Sequence, residues 1–543
     1  MEIKGKIVDV VNRRIYKGSV VIKNGRIEKI IETEKDIPDL FIMPGFVDAH
    51  VHIESSMLTP VRFGELAIRQ GTIAVVTDPH EIANVLGVEG IRYMVKEAER
   101  TPLKVKFGIP SCVPATPFET SGAKIGAREI GDLFREDETY HLAEMMNFPG
   151  VIYGDEEVAE KLKVAKKYGR IIDGHAPGLR GEELKKYVAA GVSTDHECTT
   201  LGEAVEKIED GMKILIREGS AAKDFDNLSR LIEVYPEEVM LCTDDSHPDD
   251  LSEGHINRLV ERAIKKGYDL WNVLRAATMN PVKFYGLKMG LLQEGDPADM
   301  ILVKDIDRII PEKVIIDGEV VYERGRLKET ETTREEPNNF KAGEIKEKDL
   351  EVKYEGKEKI RVIVAKEGSL YTEERIMLAR VRKGYVEADT EKDLLKIVVY
   401  NRYQSGIKPA IGFVSGFGIK KGALASSIAH DSHNIIAVGS SDAEIVKAIN
   451  RVVEMKGGIA VTAEEEEMAL ALPVAGLMTN EEGLNVAEKY KEINHFASGT
   501  GTRLHAPFMT LSFMALLVIP ELKIGDKGLF KIGEMKFQEL FVE

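Results

Sequence analysis

Between Phe41 and Leu287 the chain alternates eight short apolar runs with amphipathic or loop-plus-helix segments, and this alternation constrains its fold more than any other feature. The runs are FIMPGFVDAHVHI, TIAVVTD, KVKFGIP, AEMMNF, RIIDGHA, GVSTDHE, MKILIREGS and VMLCTDDS. Each has the length and apolar content of a buried strand. Helical segments between them include RFGELAIRQG, EEVAEKLKVAKKYG and HINRLVERAIKKG. The last spaces Ile256, Leu259, Val260 and Ile264 three or four residues apart, which puts them on one helix face. Eight strand–helix repeats are what a (β/α)8 barrel of the TIM type requires, and such a barrel carries its chemistry at the C-terminal ends of the strands. The fold class expected is therefore α/β.

A length of 543 residues exceeds one ordinary core, so further units must flank the barrel. Short strands with turn residues such as Asn24-Gly25 fill residues 1–40, and similar strands return in ADMILVK and KVIIDGEVVYERG. Glu, Lys, Arg and Thr dominate residues 331–359, which read as a solvated linker. Residues 360–543 resume an α/β pattern with RVIVAKE, KIVVYNR, NIIAVGS and the helix DAEIVKAINRVVEMKGG.

A net charge of −17 without a basic stripe excludes a nucleic-acid partner, because phosphate binding needs clustered Lys and Arg. Cys112, Cys198 and Cys242 form no CxxC pair, which implies a reducing compartment such as the cytoplasm. The N-terminus has no apolar signal core. The longest apolar run, Phe508 to Pro520, falls short of the ~20 residues that span a bilayer, so no membrane partner is expected. Closed-symmetry homo-oligomers are common, and a dimer is the favoured assembly.

The strongest chemical signal is His50-Val51-His52 at the end of the first run. Residues i and i+2 of a strand share a face, so both imidazoles can converge on one ion. A lone pair of this kind arises often by chance. Here His175 follows RIIDG, His196 follows VSTD and Asp244 follows VMLCT, each at the end of a different run. Four histidines and an acid at strand ends are costly to bury unless paired or metal-bound, and together they form a metal-ligand set. Asp78-Pro79-His80-Glu81 ends the second run, where His80 and Glu81 either line the pocket or satisfy a loop. Arg217 ends the seventh run and either contacts substrate or forms a structural ion pair. In the last unit, His430 and His433 of HDSH have ligand-type spacing and are candidates for an additional ion. Ser55, Ser56 and Cys198 lack a nucleophile–base arrangement, and Cys198 reads as packing or pocket lining.

The segment MPGFVDAHVHIESSML, with His175, His196 and Asp244 downstream, resembles the amidohydrolase superfamily. Within it, HVHIESSMLTP, TDPHEIANVLG, LAEMMNFPGVI, DGHAPGL, STDHECTT, CTDDSHPDDL and GTRLHAPFMTLSFMALLVIPELKI are similar to the bacterial and archaeal adenine deaminases. The resemblance implies a barrel over 41–287, a small β-sandwich built from 1–40 and 288–330, and a C-terminal α/β domain of the adenine-deaminase type over 360–543. It also implies two divalent metals, Mn or Fe rather than Zn, and adenine as the small-molecule substrate. Most two-metal relatives bridge their ions with a carboxylated lysine on the fourth strand; here LAEMMNF offers Glu144 instead. The resemblance makes Glu144 the bridge, against the alternative of a solvated glutamate. His50, His52 and Asp244 then hold one ion, and His175 and His196 the other.

The resemblance implies that water activated by such metals would attack C6 of the purine, releasing hypoxanthine and ammonia. N1 and the departing amine each need a proton. By resemblance Glu119, in VPATPFETSG, is the N1 donor and Asp244 the shuttle to ammonia, with Asp245 as the neighbouring alternative. Glu119 is otherwise a plain solvated acid. Competing readings are another amidohydrolase reaction, such as cyclic amide hydrolysis or deacetylation, and a metal-binding barrel without activity.

Overall fold

The computed structural model describes residues 1–137 and 140–543. Each of the eight apolar runs supplies one barrel strand: β1 (Phe46–Val51), β2 (Thr72–Thr77), β3 (Lys104–Ile109), β4 (His141–Met145), β5 (Ile172–Gly174), β6 (Thr194–Asp195), β7 (Lys213–Arg217) and β8 (Val239–Cys242). Consecutive strands from β1 to β5 and from β6 to β8 pair in parallel. Backbone bonds complete the circle. Ser193 N–H donates to Ile172 O at 2.9 Å, while Asp244 N–H to His50 O (2.9 Å) and His52 N–H to Asp244 O (3.1 Å) tie β8 to β1. Every residue of β1, β2 and β8 is buried, as expected of parallel strands covered on both faces. The helix Ile256–Lys265 buries Ile256, Leu259, Val260 and Ala263 against this core.

The first apolar run is split. Phe41–Met43 leaves the barrel and pairs with Glu2–Asp9 on one side and Met300–Val303 on the other. Pro44 and Gly45 separate it from β1, since proline has no N–H for a ladder. The N-terminal strands and those after the barrel thus meet in a single eight-stranded sheet.

The C-terminal part is built on a nine-stranded sheet whose helix Asp442–Glu454 buries Ile445, Ala448, Ile449 and Val452. The charged stretch 331–359 is tied down rather than free. Asn339 Nδ2 donates to Val85 O (3.3 Å), Lys341 N to Arg402 O (2.7 Å) and Ala475 N to Pro337 O (2.7 Å). Ile345 and Leu350 bury their side chains against the C-terminal sheet.

The two halves of the chain interlock at the mouth of the barrel. Thr479 N–H donates to Met57 O at 2.9 Å, and the Tyr490 hydroxyl lies 2.7 Å from His247 Nδ1. The apolar run at Phe508 begins as the buried helix Pro507–Phe513 over the barrel. Among the described residues no helix is long and apolar enough to cross a membrane. All three cysteines are free and buried.

Candidate active site

The strand ends deliver the expected side chains to one point. His50 and His52 bring their Nε2 atoms to 3.2 Å of each other. The Nδ1–H of His52 donates to Asp78 O at 3.0 Å, which fixes the tautomer that leaves Nε2 free as a ligand. Glu144 on β4 divides its two oxygens between two sides of the cluster. Its Oε1 is 3.4 Å from His52 Nε2, and its Oε2 is 2.7 Å from His175 Nδ1 and 3.2 Å from His196 Nε2. Asp244 places Oδ1 3.1 Å from His52 and 3.6 Å from His50.

Buried polar pairs behind the cluster hold these side chains. Asp48 on β1 accepts from the Thr243 amide (3.1 Å) and hydroxyl (2.5 Å), fixing the backbone just before Asp244. His255 Nε2 stands 3.0 Å from Asp48 Oδ2, the oxygen that also accepts the Thr243 hydroxyl. Lys207, fully buried, reaches Ala176 O (2.7 Å), Asp195 (3.0 Å) and Glu203 (2.8 Å). Asp195 also accepts from Ala176 N at 2.8 Å, so one ion pair secures the residues next to both His175 and His196. A buried pair is tolerable only when its remaining donors and acceptors are satisfied, as they are here.

The donor chemistry fits a divalent metal. His50, His196 and Asp244 form one group whose ligand atoms lie within 4.8 Å of one another, and Glu144, His175 and His196 form another. The two imidazole nitrogens, 3.2 Å apart, converge on one point beside the Asp244 and Glu144 oxygens, as ligands of a shared ion must. Burial alone would raise the pKa of Glu144, but His175, His196 and His80 around it hold it well below the usual carboxylate range. Nitrogen and carboxylate donors in this mixture suit first-row divalent ions.

Glu119 is not among the side chains that line the cluster cavity. It lines a neighbouring cavity of about 600 Å³ with Ser111, Cys112 and Lys161. Burial and then the nearby Asp431 carboxylate push its pKa well up. Arg217 commits four of its five N–H donors to carboxylates, the structural ion-pair alternative. It donates to Asp244 Oδ2 (3.0 Å), to Asp224 through Nε (3.2 Å) and Nη2 (3.0 Å), and directly to Glu197. His430 and His433 meet the barrel at Glu81: His430 Nδ1 lies 2.9 Å from Glu81 Oε1, and His433 Nε2 contacts Glu81 Oε2.

Glu81 and His80 do line the cluster cavity, as does Asp245, whose Oδ1 accepts the Ser55 hydroxyl at 2.5 Å. His80 Nδ1 sits between Asp78 (3.2 Å) and Glu144 (3.3 Å). Burial would raise the pKa of Glu81, yet His430, His433 and His80 hold it well below the usual range. Sequence reasoning passed over Glu197 and Asp431, which also line the cavity. Glu197 was marked only by adjacency to His196; Asp431 lay inside the HDSH cluster without a local sign that it would meet the barrel.

Residues 41–321 match the family model described as the amidohydrolase family, and residues 369–536 match that of the adenine deaminase C-terminal domain. The chain is 52% identical over 549 residues to an adenine deaminase of Methanosarcina acetivorans, covering 99% of each chain. It is 52% identical to an adenine deaminase of Methanosarcina barkeri, again over 99% of each. An adenine deaminase of Sulfurovum sp. is also 52% identical, over 98% of each chain.

Proposed function

The chain belongs to the adenine deaminase family of the amidohydrolases, and on that premise we propose that it hydrolyses adenine to hypoxanthine and ammonia at a two-metal site. The observation that carries the reading is the division of Glu144, one oxygen toward His52 and the other toward His175 and His196. A carboxylate so placed could serve both ions of a two-metal site. His50, His52 and Asp244 would hold one ion, His175 and His196 the second, and Glu144 both. The family favours manganese or iron over zinc. When bound, such ions lower the pKa of coordinated water toward neutrality and supply the nucleophile.

The chain's own residues then manage two protons. The water that adds at C6 gives up both; one ends on N1 and the other on the leaving ammonia. Asp244 suits the second transfer, because Arg217 fixes its Oδ2 at 3.0 Å and leaves Oδ1 turned to the cluster. Asp245 is less free, since the Ser55 hydroxyl occupies one oxygen. For N1, Glu81 is preferred to Glu119: it lines the cavity, and as a carboxylate beside His430 and His433 it can take a proton from the water and pass it to N1. Opposite this polar floor stand Leu370, Phe513, Leu516 and Val518, an apolar face that suits a flat base.

The test is ammonia release from adenine by metal-loaded protein, with adenosine and cytosine as controls. Turnover of adenine is expected; full metal content with no turnover of any purine would remove the proposal.

A further inference from the structure

The cleft over the cluster, half open to solvent, leaves about 30 Å³ accessible to water. That is room for about two waters at roughly 10–15 Å³ each, and far below the ~300 Å³ at which small-molecule pockets begin. A base enters only if one wall retreats. The floor is fixed, because its side chains stand on barrel strand ends and are cross-linked by the ion pairs of Glu144, Arg217 and Lys207.

The opposite wall is built differently. Leu370 and the segment from Phe513 to Val518 reach over the cavity from the C-terminal half of the chain. Met509, Phe513, Leu516 and Ile519 form a small apolar cluster of their own with Leu370 and Val518, separate from the main core. Phe508, Leu511, Met514 and Ala515 of the same segment anchor it in the main core, so the movement a base requires falls on the satellite side chains.

Two roof segments, Leu370 and Phe513 being 143 residues apart in sequence, meet at Lys523. Its side chain is 1% exposed, and Nζ donates to Leu370 O at 2.6 Å and to Phe513 O at 2.9 Å. Thr372 adds a second tie close by, its hydroxyl donating to Leu522 O at 2.8 Å and its amide to Pro520 O at 3.1 Å. Burial alone pushes the Lys523 pKa down to about 7, in keeping with an ammonium that meets carbonyls instead of a carboxylate. Burying an ammonium this way is costly, and a methionine would fill the same space without that cost. What the lysine adds is the pair of bonds. The roof also touches the proton-handling residues, since the Phe513 ring stacks on His430 at 4.8 Å and 20°.

We propose that Lys523 is a positioning residue for the deamination, latching the Leu370 and Phe513 segments so that they close over the bound base as one body. The inference rests on the adenine reading only for its choice of substrate.

The test uses full-length, metal-loaded protein carrying Lys523→Met, assayed for KM and kcat on adenine and for backbone hydrogen exchange. The KM should rise roughly 10- to 30-fold, the size of two lost hydrogen bonds, with metal content unchanged and kcat altered much less. Faster exchange should be confined to residues 366–372 and 506–519. An unchanged KM, or faster exchange spread through the whole chain with metal loss, would overturn the latch. If Lys523→Met does not fold, Thr372→Val should give a smaller KM rise with the same local exchange, and no change in either would likewise overturn it. Failure of wild-type protein to turn over adenine would count against the substrate reading alone, because the exchange pattern judges the latch without substrate.

Discussion

Glu144→Gln keeps the shape of the side chain while removing its charge and turning one oxygen into an N–H donor. Four imidazoles approach this carboxylate, from His52 at 3.4 Å, His80 at 3.3 Å, His175 at 2.7 Å and His196 at 3.2 Å. An amide cannot ligate through its nitrogen, so one side of the cluster loses its oxygen and the other keeps only a neutral one. A unit charge pair at 4 Å is worth about 4 kcal/mol at an effective dielectric of about 20, which sets an upper bound of roughly 10³-fold per ion. Loss of an outer hydrogen-bonding partner costs ~10-fold or more, which sets the lower bound. Each ion should therefore bind between ~10- and ~10³-fold more weakly. The assay is metal content after equilibration against a graded chelator, followed by ammonia release on the same samples. Metal and activity should fall together, with Glu144→Asp, which keeps the charge on a shorter arm, lying between. A Gln variant that retains full metal and near-normal turnover would refute the bridging role.

Glu81→Gln should keep its metal and lose roughly 10²- to 10⁴-fold in kcat, the usual range for a proton-transfer group, whereas Glu119→Gln should turn over near the wild-type rate; the reverse pattern in steady-state kinetics would restore Glu119 to the chemistry. Arg217→Met leaves Asp224, Glu197 and Asp244 without their shared cation, and breaking such a buried set costs about 3–5 kcal/mol, so calorimetry should show a clear fall in Tm. Burial, with His430 second, pushes the His247 pKa down to about 3. The unfolded chain takes up this proton near pH 6.5 and the folded chain does not, so stability is intact above that pH and declines as pH falls toward 3, by at most about 1.4 kcal/mol per unit. Urea melts of His247→Gln across this window should show a shallower acid loss than wild type; an equal loss would clear His247.

The barrel was legible because its signals are local. Each apolar run and the helix after it lie within a few dozen residues, and His50, His52, His175, His196 and Asp244 sit at strand ends where the period of the strand determines their direction. Glu144 was marked by family resemblance on a strand that supplies no lysine. The remainder depended on distant contacts. Whether Glu81 or Glu119 faces the cavity is decided by loop paths and by the HDSH segment, more than 300 residues away in sequence, closing on Glu81. Nothing near Glu81 announces that partner. Arg217 shows the same limit, since its three carboxylates come from separate turns of the chain. The break at Pro44 was in plain view, yet the apolar residues on both sides read as one run until the pairing of Phe41–Met43 with Glu2–Asp9 separated them.

Metal reconstitution tests the central claim most directly. Chelator-stripped protein would be titrated with Mn²⁺ or Fe²⁺ while adenine deamination is followed by ammonia release. Activity should be absent at the start and reach its plateau near two equivalents per chain. Full activity in stripped protein, or a plateau reached without any metal bound at the Glu144 cluster, would contradict the account.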